Sequence, residues 1–298
     1  MLLLIKYTLL YGIVLMLVAL GGMFSEHSGI INIALEGIMV IGGVAGVLTL
    51  TMLPASLSPF LVVLISILVA ALAGVIYSLL LAFASINLKA DQTIGGTALN
   101  LLATAIAVVI SKYFSESGSA KLNYSNKPFL FSIGGLELSI FVPLGIALLI
   151  ISYIVLYKTR FGLRLRACGE NPQAADSLGI NVYKMRYAGT TISGALAGMG
   201  GFVYALTTAN CASNGDVAGF GFLALAVMIF GNWKPLQIFL CSIFFALFKV
   251  VGTYYTLIPF LPNFKGVEKV SNIYNLLPYV VTMIVLIATS KSSQAPKA

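Results

Sequence analysis

Long apolar runs separated by short polar passages set the pattern of this chain. No charged residue occurs at 37–88, 92–111, 138–157, 187–215 or 270–290. Each run can hold a helix of about 20 residues, roughly what the hydrocarbon core of a bilayer requires, and the first can hold two. The alternating polarity of a membrane β-barrel is missing, so the runs predict helices. They are expected at 6–24, on to 53 after a polar interruption at 25–43, and at 60–86, 94–113, 138–157, 187–207, 220–230, 236–255 and 276–289. The fold expected is all-α: one integral-membrane helical bundle over 1–298, with about nine crossings and roughly eight to ten compatible with the pattern. Segment 220–230 is short for a crossing, and a half-helix that enters and returns is the other reading of it.

Composition strengthens this picture. Hydrophobic residues make up 59% of the chain and charged residues 9%, against about 25% charged in soluble domains; mean hydropathy is +1.02. The net charge of +8 is explained by basic loops that orient membrane helices, so no nucleic-acid partner is expected. With the segment at 158–186 inside, ten Lys and Arg fall inside, six outside and Lys249 within a span; Lys6, placed outside, runs against the bias. Cys168, Cys211 and Cys241 show no disulfide or metal spacing, and His27 is the single histidine, so no metal site is expected. The apolar N-terminus lacks a small-residue cleavage site and reads as the first span rather than a leader.

Two sets of polar residues stand out. The first is 158–186, which holds all four arginines (Arg160, Arg164, Arg166, Arg186) with Lys158 and Lys184. A short helix is legible inside it: Asn171 suits an N-cap, Pro172 the first helical position, and Gly179 a left-handed stop. Glu170, Asn171 and Asp176 offer polar contacts, Ala174, Ala175 and Leu178 an apolar patch, and Arg164 and Arg166 partners for carboxylates. The same arginines would also serve simply to fix topology and bind anionic lipid headgroups. The second set lies within the apolar part, where polar groups are costly and mark candidate functional positions. Glu26, His27, Asn32 and Glu36 surround the first interruption, and Asn32 and Glu36 would share one face of a helix. They read as lining a translocation path; equally, Glu36 would cap or brace a neighbouring helix. Thr97 and Asn100 form another pair, for pore lining or for a helix-packing hydrogen bond. The segment GFGFLALAVMIFG faintly echoes NIALEGIMVIGG, as in transporters whose paths lie at paired broken segments. Lys249 is expected to snorkel outward or pair locally.

Four passages together resemble a known family: FSEHSGIINIALEGIMVIGG, KADQTIGGTALNLLA, TRFGLRLRACGENPQAADSLGINV and GFGFLALAVMIFGNWKPL. They resemble bacterial ABC-importer permeases of the branched-chain amino acid and ribose type, and among these the purine-nucleoside branch. The resemblance implies a type II importer-like pore subunit in the bacterial cell membrane that moves a nucleoside by alternating access. No G-x-x-x-x-G-K-S/T loop is present, so ATP and magnesium would belong to a cytoplasmic ATP-binding partner, with no cofactor on this chain. Segment 158–186 is then the cytoplasmic coupling loop, with Arg164, Arg166, Glu170, Asn171, Pro172, Ala174, Ala175, Asp176 and Gly179 at the contact. The substrate path would hold Asn32, Glu36, Thr97 and Asn100. A second permease subunit, an external substrate-binding lipoprotein and membrane lipid complete the implied partners. A sugar or branched-chain amino acid permease is the alternative substrate reading. An autonomous ion-coupled carrier is the alternative class, although the spans offer mainly Glu36 and Lys249 as ionisable residues.

Overall fold

The computed structural model describes residues 2–54, 57–115, 122–123, 130–133, 136–209, 212–253, Leu276, Val280, Met283 and Ile284. The helices are α1 (Leu2–Glu26), α2 (Leu35–Met52), α3 (Pro59–Ala82, continued by a π-helical turn at Phe83–Asn87), α4 (Gln92–Phe114), α5 (Phe141–Lys158), α6 (Arg160–Glu170), α7 (Pro172–Ser177), α8 (Val182–Thr207), α9 (Phe220–Phe230) and α10 (Pro235–Thr253). Among the described residues six of them, α1 to α5 and α10, are long and apolar enough to cross a membrane. About nine crossings were expected. Of the other three, α8 is long but less apolar, α9 has 11 residues, and the span expected at 276–289 lies outside the described residues except at Leu276, Val280, Met283 and Ile284.

Helix α8 explains its own composition. Its 26 residues reach about 39 Å, and α1, α2 and α3 surround it. A helix wrapped by protein needs small residues more than greasy ones, because close backbone approach, rather than burial from water, holds helices together in lipid. Gly194 and Gly198 lie against Gly74 of α3, Gly198 also against Gly42 of α2, and Gly201 against the Met39 carbonyl. A Cβ placed on Gly201 would stand 1.9 Å from that oxygen, a clash with backbone that no rotamer change relieves. Gly201→Leu is therefore expected to cost at least about 3 kcal/mol and to abolish recovery of monodisperse protein in detergent. Gly95→Ala, where the added carbon would meet only Leu81 Cδ1 at 3.9 Å, should keep the wild-type yield and melting temperature.

Direction follows from the same contacts. Gly189 of α8 faces Phe24 and Ser28, whereas Gly200 faces Val14 and Val18, so α8 runs antiparallel to α1. Glu26, α6, α7 and the start of α8 thus share one end, called here the basic end. At the loops, β1 (Leu122–Asn123) pairs antiparallel with β4 (Ala212–Ser213), and β2 (Leu130–Ile133) with β3 (Leu136–Ser139). The all-α expectation is corrected to this extent: inter-helix connections pair their backbone groups in short ladders where no helix satisfies them. A second correction falls at 158–186, which contains two helices rather than one. Helix α6 begins where the Thr159 side chain accepts the Gly162 N–H at 3.2 Å; its arginines and glycines disguised it as loop.

Candidate translocation site and coupling surface

Two breaks in the helical pattern meet at Glu36. After α1 the chain turns sharply: Ser25 Oγ donates to the Ile30 carbonyl at 2.7 Å and Ser28 Oγ to the Ser25 carbonyl at 2.6 Å. Residues 30–34 then run non-helically beside α4. The Ile31 N–H reaches Gln92 Oε1 at 2.7 Å, Asn100 Nδ2 donates to the Ile33 carbonyl at 3.0 Å, and Asn100 Oδ1 accepts the Gly37 N–H at 2.8 Å. Non-helical backbone within a membrane must be satisfied by protein or water; here Asn100 does so from both its amide atoms. The second break is 208–219, which leads from the far end of α8 to α9. Gly219 adopts φ +75°, and Glu36 accepts the N–H groups of Gly219 at 2.9 Å (Oε1) and Gly221 at 2.6 Å (Oε2). A carboxylate thus satisfies donors that the start of α9 cannot bond internally and meets the positive end of its dipole.

Helix α9 runs from this cap to the basic end, where Trp233 Nε1–H donates to Glu26 Oε2 at 2.5 Å and His27 Nε2 lies 3.1 Å from the Trp233 carbonyl oxygen. Segment 220–230 is therefore a half-helix. With the loop before it, it connects the far end of α8 to the basic-end start of α10.

Around the cap, Phe220 packs with Tyr11 and Tyr204 at ring-centroid distances of 5.5 and 4.9 Å. The Lys249 ammonium sits 5.5 Å from the Phe220 centroid, within Coulombic reach of both Asp216 and Glu36. It points into the protein, so of the two expectations for Lys249 it is local pairing rather than outward snorkelling that the position matches. Asp216, exposed beside this group, accepts the Ala218 N–H at 2.8 Å. Sequence reasoning missed Asp216, Tyr11, Tyr204 and Trp233 as members of this site. Asp216 did carry a signal, as the charge that ends an uncharged run.

The four path residues do not form one cluster. Asn100 and Glu36 lie at one level. Asn32 precedes α2 and does not share a helix face with Glu36; it is buried and donates from Nδ2 to Ser193 Oγ at 2.9 Å. Thr97 is exposed, its hydroxyl bonded to the Thr93 and Ile94 carbonyls at 3.0 Å.

At the basic end the expected capped helix is present as α7. Asn171 Oδ1 accepts the Ala174 N–H at 3.0 Å, Pro172 opens the helix, and Gly179 at φ +78° ends it. The Ile180 N–H bonds the Ala175 carbonyl at 3.1 Å and the Gly179 N–H the Asp176 carbonyl at 2.8 Å, the paired closure of a left-handed helix stop. Arg164, Glu170, Asn171, Ala174, Asp176 and Leu178 are exposed. Three proposed contact residues are not, among them Pro172, which is half-buried. Ala175 is 2% exposed and faces the protein, because it lies on the side of α7 that packs inward. Arg166 is folded back with its guanidinium 4.8 Å from the Tyr157 ring centroid, an attraction to the ring face. Beneath α6, Gly169 abuts the His27 carbonyl, where a Cβ would come within 2.5 Å. Burial holds the His27 imidazole below its ordinary range, opposed by the Trp233 carbonyl and assisted by Arg166. Burial pushes the Cys168 thiol up, with Arg186 opposing.

A bundle with paired helix breaks at mid-depth and a capped helix presented at its basic end is the architecture of a transport subunit. The model of the branched-chain amino acid transport system / permease component family matches residues 4–289, and the chain belongs to that family: it is a multi-pass membrane permease component. It is 42% identical to the nucleoside ABC transporter permease protein NupC of Lactococcus lactis, covering 97% of this chain and 93% of that protein. Identity to the guanosine ABC transporter permease protein NupQ of Bacillus subtilis is 40%, covering 98% and 93%. A shorter match, 31% identical over 38% of this chain and 31% of the relative, links it to the nucleoside ABC transporter permease protein NupB of Lactococcus lactis.

Proposed function

We propose that this chain is the nucleoside-translocating subunit of an ABC importer, a single permease domain of type II importer-like architecture with about nine crossings. The observation that carries the reading is near full-length similarity to two permeases named for nucleoside and guanosine transport. The site is in keeping with it: Thr97, Asn100 and Asp216 offer hydrogen bonds to a polar solute, and Glu36 shapes the path by fixing the start of α9. In this reading the basic end is cytoplasmic. The exposed residues of α6 and α7 dock on a separate ATP-binding subunit, which holds ATP and magnesium, and an external binding protein delivers solute at the other end. Lactococcus lactis has two relatives named as nucleoside permeases, which favours a pair of unlike permeases, this chain with a NupB-like partner.

The test is uptake of radiolabelled guanosine into vesicles containing this chain, its second permease, the ATP-binding subunit and the binding protein. Uptake should require ATP inside and be competed by nucleosides but not by glucose or leucine. Uptake driven by a proton or sodium gradient without ATP would overturn the importer reading; competition by glucose or leucine alone would overturn the substrate.

A further inference from the structure

We infer that Asp216 is a solute-contacting residue whose carboxylate accepts hydrogen bonds from the vicinal hydroxyl pair of a ribose. The inference rests on the nucleoside reading above.

Depth is the first ground. Gly215 stands against Thr104, Ala107 and Val108 of α4. Thr104 and Ala107 follow the first residue of α4 by 12 and 15 positions, or about 18 and 23 Å along a helix of about 34 Å. Four residues further on, Gly219 bonds Glu36, whose neighbour Gly37 bonds Asn100, about 12 Å along α4. Asp216 therefore lies within the middle of the membrane profile. Asn214, Asp216 and Ala218 are nevertheless exposed, as are Thr97 and Thr104 on α4. Ionised carboxylates and non-helical backbone do not face hydrocarbon at that depth; they are covered by protein or face an aqueous cavity, and this strip is left uncovered by the chain. This exposed strip therefore borders water, which at mid-depth means the solute's route.

Chemistry is the second ground. The task of neutralising the start of α9 falls to Glu36, which bonds Gly219 and Gly221, so Asp216 is not needed for it. One Asp216 oxygen receives the Ala218 N–H, which fixes the carboxylate while leaving acceptor capacity, since an ionised carboxylate takes about four hydrogen bonds and donates none. The group it suits is a neutral pair of adjacent donors. A cis-diol presents two hydroxyls side by side, and carboxylate bonds to them are stronger than neutral ones. The aromatic side chains nearby, Tyr11, Tyr204 and Phe220, are buried against each other, so the strip offers a sugar contact rather than a stacking platform for a base.

The experiment compares uptake of guanosine and 2′,3′-dideoxyguanosine by the reconstituted importer, with wild type, D216N and D216E. Binding-protein affinity for each solute is measured separately and each is supplied at saturation. Wild type should favour guanosine by about 10-fold or more. D216N should bring the ratio close to one, and D216E should restore part of it. Equal slowing of both solutes by D216N, or an unchanged ratio, overturns the inference. If wild type imports a sugar and no nucleoside, the nucleoside reading fails on its own, and the same comparison with ribose and 2-deoxyribose decides the role of Asp216.

Discussion

Glu36→Ala is expected to lower ATP-driven uptake by about two orders of magnitude and to lower the melting temperature of the purified permease. The Glu36 carboxylate is the only acceptor, among the described residues, for the N–H groups of Gly219 and Gly221. Hydrogen bonds to a charged group contribute about 1.5–3 kcal/mol each, and unsatisfied buried donors cost a similar amount. Losing two such bonds at the entry of one half-helix therefore costs about 3 kcal/mol or more. Because Phe220, the first residue of α9, lies against Lys249 and near Asp216, displacement there disturbs the whole mid-depth site. Glu36→Gln keeps an acceptor for one of the two groups and should fall between wild type and alanine in both measurements. Uptake and melting temperature both unchanged in the alanine variant would show that α9 is held by something other than this cap.

Leu178→Asp is expected to weaken docking of the ATP-binding subunit by about 10- to 100-fold while leaving the permease itself as stable as wild type. Leu178 is 81% exposed at the end of α7, in a segment whose cap and stop hold it rigidly. Full burial of a leucine contributes about 1.5–3 kcal/mol, which a partner surface would recover and an aspartate would forfeit. Ala175→Leu makes the contrast, since Ala175 is buried within the chain and an added isobutyl group overpacks α7 against its neighbours by about 1–3 kcal/mol. The first variant should change the dissociation constant measured with the purified ATPase and not the melting temperature; the second should lower the melting temperature. A wild-type dissociation constant for Leu178→Asp would remove α7 from the docking surface.

What the sequence disclosed and what it withheld divide along local and non-local lines. The cap at Asn171, the proline after it and the stop at Gly179 act through neighbours within a few positions, and α7 begins and ends where they place it. Helices α4, α5 and α10 follow from uninterrupted apolar runs. The breaks were harder. Asn32 and Glu36 satisfy helical spacing on paper, yet α2 starts only at Leu35, because Asn100 and Gln92 from a distant helix supply partners for an unwound backbone. Asp216 belongs to a polar stretch between two apolar segments, and its depth is seen only from Gly215 lying against α4. Lys249 shares the spacing of the buried Ser242, Phe245 and Ala246, but the groups it meets, Phe220, Asp216 and Glu36, come from three other segments that no local pattern names. Arg166 would be legible as a partner contact but for Tyr157, nine positions earlier, which draws it back.

The bonds at the two ends of α9 carry a mechanical consequence. One end is pinned to Glu36 and the other, through Trp233, to Glu26 and His27, while Gly169 of α6 rests directly on the His27 backbone. A short helix fixed at both ends behaves as a connecting rod. If α6 receives the push of an ATP-binding subunit, as proposed above, that push would reach His27, pass to Trp233 and arrive at the mouth of α9 some 16 Å away, at about 1.5 Å per residue, with no long helix having to bend. Such a rod moves as a unit between two discrete seatings rather than stretching, so the stroke at the basic end and the rearrangement around Phe220 and Asp216 would occur together or not at all.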